Sequence, residues 1–342
     1  MDLERPDLSD VEDEVVAYIE ALEMALLNQG EGDKEVAGRG EVEPSEPETT
    51  LQIMTMSQMG VVKRTARHWY GRQKRAGMGV YDLQVDEPDM PDLLVQADVE
   101  AEIILFSNLG RTFRVPVSVL SEGEVRDKGE VWPWPLAPLA GERVAAVLPA
   151  NSDLPYVTLV SERGWVKRIR AEYVSAKMVQ GNRFHDLKDG GEVAAVAWTG
   201  GDDIFIASRN GLGIRFPASR IPTRGCLGIR LDLDDRVVGV AGVNEDSGVF
   251  LISENGKGTI RLMSGFRQNQ SPGAKGKVVI KTDRLVMAAE AEGRDDIFLI
   301  SQTGKMIRFN ADDIPAKTGV VQGVICMALR NDEVAAGLVI KG

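Results

Sequence analysis

The stretch EIILFSNLGRTFR, residues 102–114, decides the fold, because its pattern returns five more times along the chain. An apolar run leads to the turn Ser107-Asn108-Leu109-Gly110, and a second apolar run follows the glycine and ends at Arg114. Two short apolar runs separated by a polar turn with glycine predict a β-hairpin, because glycine adopts the positive φ that such turns require. The other copies of this Ser-x-x-Gly motif begin at Ser57, Ser161, Ser208, Ser253 and Ser301.

Successive motifs lie 45 to 54 residues apart, so the six hairpins define six repeating units, numbered here from one to six in chain order. Regular repetition of several short strands is typical of a β-propeller, in which sheets arranged in a ring protect their edges. The sequence therefore predicts an all-β, six-bladed propeller over residues 51–342. In this interpretation the Ser-x-x-Gly motif supplies turn chemistry only.

Each unit also carries one arginine after its turn and one acid before its next apolar run. The arginines lie seven residues after the serine, or eight in the fifth unit: Arg64, Arg114, Arg168, Arg215, Arg261 and Arg308. The acids are Asp92, Glu142, Glu192, Asp235, Asp283 and Asp332. Two interpretations stay open: these arginines pair with these acids between units, which we favour, or they line a rim.

The net charge of −12 is concentrated at the N-terminus, where residues 1–50 hold 16 acidic and three basic residues. Within residues 1–30, apolar side chains at three-four spacing follow a Ser9–Glu12 capping box and predict an amphipathic helix over residues 10–28. Residues 31–50 are rich in Glu, Gly and Pro and predict a flexible acidic linker. The helix either packs on its own body or pairs with another chain.

Composition excludes several classes of protein. Two cysteines rule out a disulfide framework, and two histidines leave little for metal or proton chemistry. No apolar run approaches the length of a membrane span, and no secretory signal opens the chain. We therefore expect a cytoplasmic protein with no membrane segment, no cofactor, no metal site and no catalytic residues.

Function is expected where the repeat symmetry breaks, and the first unit differs most from the others. Residues 61–79 contain six basic residues and no acid, and the loop at residues 73–79 reads QKRAGMG. Glycines let a backbone approach phosphates, while arginine and lysine neutralise phosphates and release counterions. Weaker basic stretches are residues 165–170, residues 220–230 and the equivalent fifth-unit loop at residues 273–276. The alternative is a solvated basic loop without a ligand.

The six hairpins, the start at residues 59–65 (MGVVKRT) and the loop at residues 73–79 resemble the C-terminal DNA-wrapping domain of the DNA gyrase A and topoisomerase IV A subunit family. The resemblance covers residues 51–342. It implies a six-bladed β-pinwheel whose blades exchange strands and whose basic perimeter bends DNA. The hallmark box of the family reads Gln-Arg-Arg-Gly-Gly-Lys-Gly. Here the matches are Gln73, Arg75, Gly77 and Gly79, Lys74 keeps the charge, and Ala76 and Met78 depart.

The resemblance implies a non-catalytic module that binds and bends double-stranded DNA in the nucleoid, since residues 1–50 cannot hold a topoisomerase active site. The residues expected to contact DNA are Lys63, Arg64, Arg67, Arg72, Gln73, Lys74, Arg75, Gly77, Gly79, Lys167, Arg168 and Arg170. The acidic residues 1–50 are expected to compete with DNA, and the helix to dock on a topoisomerase core or a second copy. The alternative is a protein-interaction propeller that has lost DNA wrapping; an enzyme that uses a central channel is disfavoured by the scarcity of histidine.

Overall fold

The computed structural model of the chain describes residues 46–282 and 284–342, together with Val15 and Ile19. The predicted amphipathic helix over residues 10–28 otherwise lies outside the described residues, as does the linker up to residue 45. Residues 46–342, Asp283 apart, form an all-β body. Among the described residues, no helix has the length and apolar character needed to cross a membrane.

The body consists of short strands with a brief 3-10 turn after each hairpin. The strands of units one to three are β1 (Leu51–Ser57), β2 (Val61–Ala66), β3 (Val80–Tyr81), β4 (Pro91–Asp98), β5 (Glu102–Ser107), β6 (Arg111–Pro116), β7 (Glu130–Val131), β8 (Val144–Pro149), β9 (Tyr156–Ser161), β10 (Trp165–Arg170), β11 (Asn182–Arg183) and β12 (Val193–Thr199). Those of units four to six are β13 (Asp203–Ser208), β14 (Leu212–Pro217), β15 (Cys226–Leu227), β16 (Val237–Val243), β17 (Gly248–Ser253), β18 (Lys257–Leu262), β19 (Lys277–Val278), β20 (Leu285–Glu290), β21 (Asp296–Ser301), β22 (Lys305–Asn310), β23 (Ala316–Lys317), β24 (Val324–Ile325) and β25 (Val334–Ile340). The 3-10 turns are Arg67–Trp69, Val117–Val119, Ala171–Val174, Ala218–Arg220, Met263–Gly265 and Ala311–Asp313.

The six predicted hairpins are confirmed as β1–β2, β5–β6, β9–β10, β13–β14, β17–β18 and β21–β22. In the second unit, Gly110 has a φ of 80° and its N–H donates to the carbonyl of Ser107 at 2.9 Å. The glycine of every motif takes a positive φ in the same way. The interpretation of Ser-x-x-Gly as turn chemistry is therefore confirmed.

Apolar cores lie between successive units, which arranges the sheets as a propeller. Met54 of unit one, for example, belongs to the same buried cluster as Leu105 and Phe113 of unit two. Ile53 of unit one packs with Phe298 of unit six, so the last unit is covered by the first. The inner strands β4, β8, β12, β16, β20 and β25 surround one central cavity. Most strand residues are buried because neighbouring sheets cover both faces.

Neighbouring units exchange their outermost strands. Strand β7 of unit two pairs with β2 of unit one, and β11, β15, β19 and β24 likewise pair with the hairpin of the preceding unit. Strand β3 of unit one pairs with β22 of unit six and closes the ring. At this junction the N–H of Asp82 donates to the carbonyl of Gly304 at 2.8 Å.

The described residues form five hydrogen-bonded sheets, which corrects the prediction of six separate sheets. Four sheets have four strands each, whereas units four and five share one sheet of nine strands. The two units merge where Gly239 of β16 pairs in parallel with Ala288 of β20. A Cβ at Gly239 would lie 2.6 Å from the carbonyl oxygen of Ala288, so only glycine permits this approach.

Among the described residues, which leave out Asp283, no ion pair joins a repeated arginine to a repeated acid, which corrects the interpretation that we favoured. Arg215, for example, donates to the carboxylate of Asp203 at 2.7 Å and to the carbonyl of Met263 in unit five at 2.9 Å. The other contacts to a carbonyl of the next unit are Arg64 to Leu120, Arg114 to Val174, and Arg308 to Tyr70. These carbonyls lie in or beside 3-10 turns, where backbone acceptors are left free. Most of these arginines therefore join successive units.

Candidate nucleic-acid interface

The first-unit loop, residues 72–80, lies against the sixth unit and helps to close the ring. The N–H of Gln73 donates to the carbonyl of Arg308 at 2.7 Å, and the N–H of Ala76 donates to the carbonyl of Cys326 at 2.8 Å. The carbonyl of Gly77 accepts a hydrogen bond from the N–H of Ala328 in the sixth unit at 3.0 Å. Gly79 has a φ of 74°, and a Cβ there would lie 2.5 Å from a backbone oxygen of β22. The loop is therefore held in a defined conformation.

Lys63 is buried and does not reach the surface. Its Nζ donates to the carboxylate and the carbonyl of Asp82 and to the carbonyl of Glu124. The phenol of Tyr70 donates to the same Asp82 carboxylate at 2.6 Å. Burial, reinforced by Asp82, raises the pKa of Tyr70 well above its ordinary value. Lys63 thus neutralises a buried acid, and burial also keeps Arg64 from the surface.

Three further first-unit cations hold neighbouring groups. Arg72 contacts the carboxylate of Asp296 at 2.8 and 3.1 Å, although 58 % of its side chain stays exposed. Arg75 donates to the carbonyls of Asp313 and Ile325 at 2.9 Å each. The remaining contact joins Arg67 to Glu46 at 2.7 Å. These side chains link the first unit to the sixth and to the acidic segment.

Lys74 differs from the other first-unit cations because it is exposed, and among the described residues no ion pair involves it. In the third unit, Lys167 donates to the carbonyl of Phe184 at 3.1 Å. Arg168 stacks on Tyr156, with its Cζ 3.7 Å from the ring centre, and burial lowers the pKa of its guanidinium. Arg170 is exposed beside Glu172. Lys74, Arg72 and Arg170 are thus the predicted cations with the most solvent contact.

The end of the acidic segment contacts the junction of units one and six. Glu46 accepts hydrogen bonds from Arg67 at 2.7 Å and from Arg308 at 3.1 Å. Burial opposes ionisation of Glu46, but the two arginines outweigh it and lower the pKa of the carboxyl below its usual range. The acidic segment therefore joins the body next to the first-unit loop.

A second set of cations lies on the fifth unit, where sequence reasoning registered only a weak signal. Arg267 and Lys277 are exposed, and among the described residues no ion pair involves either side chain. The signal was available in the sequence, because residues 266–281 hold four basic residues and no acid. It was missed because these cations are spread more widely along the chain than those of the first unit.

Comparison with known proteins gives the family. The model of the DNA gyrase C-terminal domain, a β-propeller, matches residues 52–88, 101–123, 202–244, 249–285 and 295–340. Among curated relatives, the DNA gyrase A protein of Ureaplasma parvum is 30 % identical over 293 residues, covering 82 % of this chain and 35 % of that protein. Its Escherichia coli counterpart is 28 % identical over 298 residues, covering 84 % of this chain and 34 % of that protein. The chain thus spans about a third of the length of these relatives.

Solved structures agree on the fold. A DNA gyrase A C-terminal domain superposes with a TM-score of 0.73 at 18 % identity, covering 85 % of this chain and all of that one. The C-terminal domain of DNA topoisomerase IV gives a TM-score of 0.57 at 19 % identity, covering 86 % and 95 %. The predicted resemblance is therefore confirmed, and the chain belongs to the family of DNA gyrase C-terminal β-propeller domains.

Proposed function

We propose that this chain is a non-catalytic module that binds duplex DNA and bends it around the outer edge of the ring. The observation that carries the proposal is the first-unit loop, which the sixth unit holds rigid while Lys74 faces solvent. A cation on a preorganised loop loses little freedom when it meets a phosphate. Family membership supports the same function.

The interaction is electrostatic and reads little sequence. Nothing in the described body resembles a recognition helix, so specificity comes from the shape and flexibility of the duplex. If about six phosphates are neutralised, the logarithm of the affinity falls against the logarithm of salt concentration with a slope near −5. Ligation of nicked circles in the presence of the protein reports, through the linking number, whether the duplex is wrapped with a defined hand.

The test is the affinity of the full chain for a linear duplex across a salt series. Lys74→Glu should weaken binding severalfold and make the slope shallower by about one. Lys128→Glu is the matched control, because Lys128 is an exposed second-unit lysine in a loop that also holds Glu124, Asp127 and Glu130. A wild-type affinity that does not respond to salt would contradict the proposal.

A second candidate function is a protein-interaction propeller that no longer wraps DNA. It is favoured by one observation: Lys63, Arg64, Arg67, Arg72 and Arg75 already hold acids or carbonyls of the body. In that case Lys74→Glu leaves DNA retention at its background level, while capture of a protein partner is unaffected. The relatives carry this domain within a longer protein, so the core of a topoisomerase is the partner to test.

We also propose that the acidic N-terminal segment competes with DNA. Residues 1–50 carry 16 acidic residues, and their last part places Glu46 on Arg67 and Arg308 beside the first-unit loop. Deleting residues 1–50 should strengthen DNA binding, and the effect should vanish at high salt. Light scattering on the intact and shortened chains tests self-association through the predicted helix. An unchanged affinity after deletion removes the competition.

A further inference from the structure

The fifth-unit loop, residues 268–277, is held in the same way as the first-unit loop. Both loops make the same three backbone hydrogen bonds to the preceding unit of the ring, at the same lengths. Each bond runs from a backbone N–H to a backbone carbonyl. In the first-unit loop the donors and acceptors are Gln73 to Arg308 (2.7 Å), Ala76 to Cys326 (2.8 Å) and Ala328 to Gly77 (3.0 Å). In the fifth-unit loop they are Asn269 to Arg215 (2.7 Å), Gly273 to Gly228 (2.8 Å) and Arg230 to Ala274 (3.0 Å).

The two loops differ in charge at equivalent positions. The residue after Gly77 is Met78, whereas the residue after the equivalent Ala274 is Lys275. Gln268 takes the place of Arg72 and donates to Asp203 at 2.6 Å, so a neutral amide replaces a cation in the contact between units. Of the two lysines in the fifth-unit loop, Lys275 pairs with Asp232 of unit four at 2.9 Å, whereas among the described residues no ion pair involves Lys277.

Among the described residues, Arg261 lacks the acidic partner that four of its counterparts have, namely Arg64, Arg114, Arg215 and Arg308. In unit four, Arg215 is neutralised by Asp203 at the start of its hairpin, but the matching position of unit five is Gly248. Arg261 is only 5 % exposed, and its Nη2 donates to the carbonyl of Gly265 at 3.1 Å. Within the described part of the chain, its Nε and Nη1 have no hydrogen-bond partner. Burial lowers the pKa of the guanidinium because no acid compensates the lost hydration.

Arg261 and Lys277 both lie near the ring of Phe266. The Cζ of Arg261 lies 5.9 Å from the ring centre of Phe266, and the Nζ of Lys277 lies 5.8 Å from it. Lys277 also donates to the carbonyl of Arg267 at 3.2 Å, which brings the backbone of that arginine close. Among the described residues, no ion pair involves any of these three cations. A buried charge without a partner is costly, so an anion that binds at the exposed Arg267 and Lys277 would also compensate the charge of Arg261.

We propose that Arg261, Arg267 and Lys277 form a binding site for phosphate groups of a nucleic-acid backbone on the fifth unit. The exposed Arg267 and Lys277 contact the phosphates, and the uncompensated charge of the buried Arg261 beneath them adds to the attraction. This inference rests on the proposed function for the identity of the ligand as duplex DNA. It adds a contact two units away from the first-unit loop, on the same edge of the ring.

The main experiment measures the affinity of the full chain for a linear duplex across a salt series. The double variant Arg267→Glu/Lys277→Glu should bind at least about tenfold more weakly, with the slope shallower by about two. The control Arg126→Glu/Lys128→Glu makes the same charge change on the equivalent loop of unit two and should stay within about twofold. Wild-type binding that the fifth-unit variant leaves intact overturns the site but not the proposed function.

Arg261→Gln gives an independent readout, because it removes a buried charge that has no counterion. The variant should melt at a higher temperature than the wild type and yet bind DNA more weakly. A purely structural arginine predicts the opposite pattern, a lower melting temperature with unchanged affinity. That result would overturn the assignment.

Inorganic phosphate separates failure of the site from failure of the proposed function. Millimolar phosphate should raise the melting temperature of the wild type and have little effect on Arg261→Gln. If the wild type binds no DNA but shows this phosphate response, the proposed function falls and the anion site stands. If phosphate stabilises both proteins equally, the site is overturned.

Discussion

The first-unit and fifth-unit loops share one backbone arrangement and differ in what their cations contact. In the first-unit loop, Arg72 holds Asp296 and Arg75 holds two carbonyls, so these charges fasten the ring. In the fifth unit, Arg267 and Lys277 stay exposed and Arg261 keeps two unpartnered N–H groups. The density of basic residues along a chain therefore does not measure the charge left for a ligand.

The difference follows from the position of each loop in the ring. The first-unit loop joins segments that are 224 residues apart in the chain, as the contact from Arg72 to Asp296 shows. Bringing such distant segments together costs more chain entropy than joining consecutive units, so more contacts stabilise this junction. The fifth unit directly follows the fourth in the chain, so its cations are not needed to close the ring.

The largest effect is expected at the junction of units one and six. Asp296→Asn removes the carboxylate that contacts both Arg72 and the buried Arg308. Because a buried arginine is left without its main counterion, the free energy of unfolding should fall by about 3 kcal/mol. The control Asp232→Asn removes the exposed partner of Lys275 and should cost no more than about 0.5 kcal/mol. Equal losses in denaturant titrations would mean that the two loops do not differ in their structural role.

A smaller effect distinguishes two turn glycines with nearly the same φ. Gly304 has a φ of 84°, and a Cβ there would overlap the carbonyl oxygen of Leu83 at the junction. Gly60 has a φ of 90°, and a Cβ there would have nothing within 4 Å. Thermal unfolding should show a loss of about 2 kcal/mol for Gly304→Ala and about 1 kcal/mol for Gly60→Ala. A larger loss for Gly60→Ala would contradict closure through β3.

The smallest effect is a pH dependence at Glu46. Its folded-state pKa lies below the ordinary value because the hydrogen bonds from Arg67 and Arg308 outweigh burial. A lowered pKa stabilises the fold above the unfolded-state value, and this stability is lost as pH falls through the folded value. The melting-temperature difference between wild type and Glu46→Gln should therefore be constant above about pH 5 and shrink below about pH 4. A difference that persists at pH 3 would show that the contact is not ionic.

Much of the fold could be predicted from sequence because its determinants are local. The Ser-x-x-Gly turns, with examples at Gly60 and Gly110, place each hairpin within a few residues. A positive φ and two flanking apolar runs leave few other conformations open to such a segment. The sixfold repetition then predicts a ring. The merger of units four and five was not predicted, because it depends on Gly239 meeting Ala288 across two sheets.

The hairpins, their repetition and the family can be predicted from sequence alone, since they depend on residue types at fixed short spacings. Which cations have partners depends on the tertiary structure. Arg64 and Arg261 occupy the same place in their repeats, yet Arg64 pairs with Glu122 of the next unit, whereas among the described residues no ion pair involves Arg261. Charge pairing joins groups from distant segments and depends on burial, and neither can be read from the order of residues along the chain.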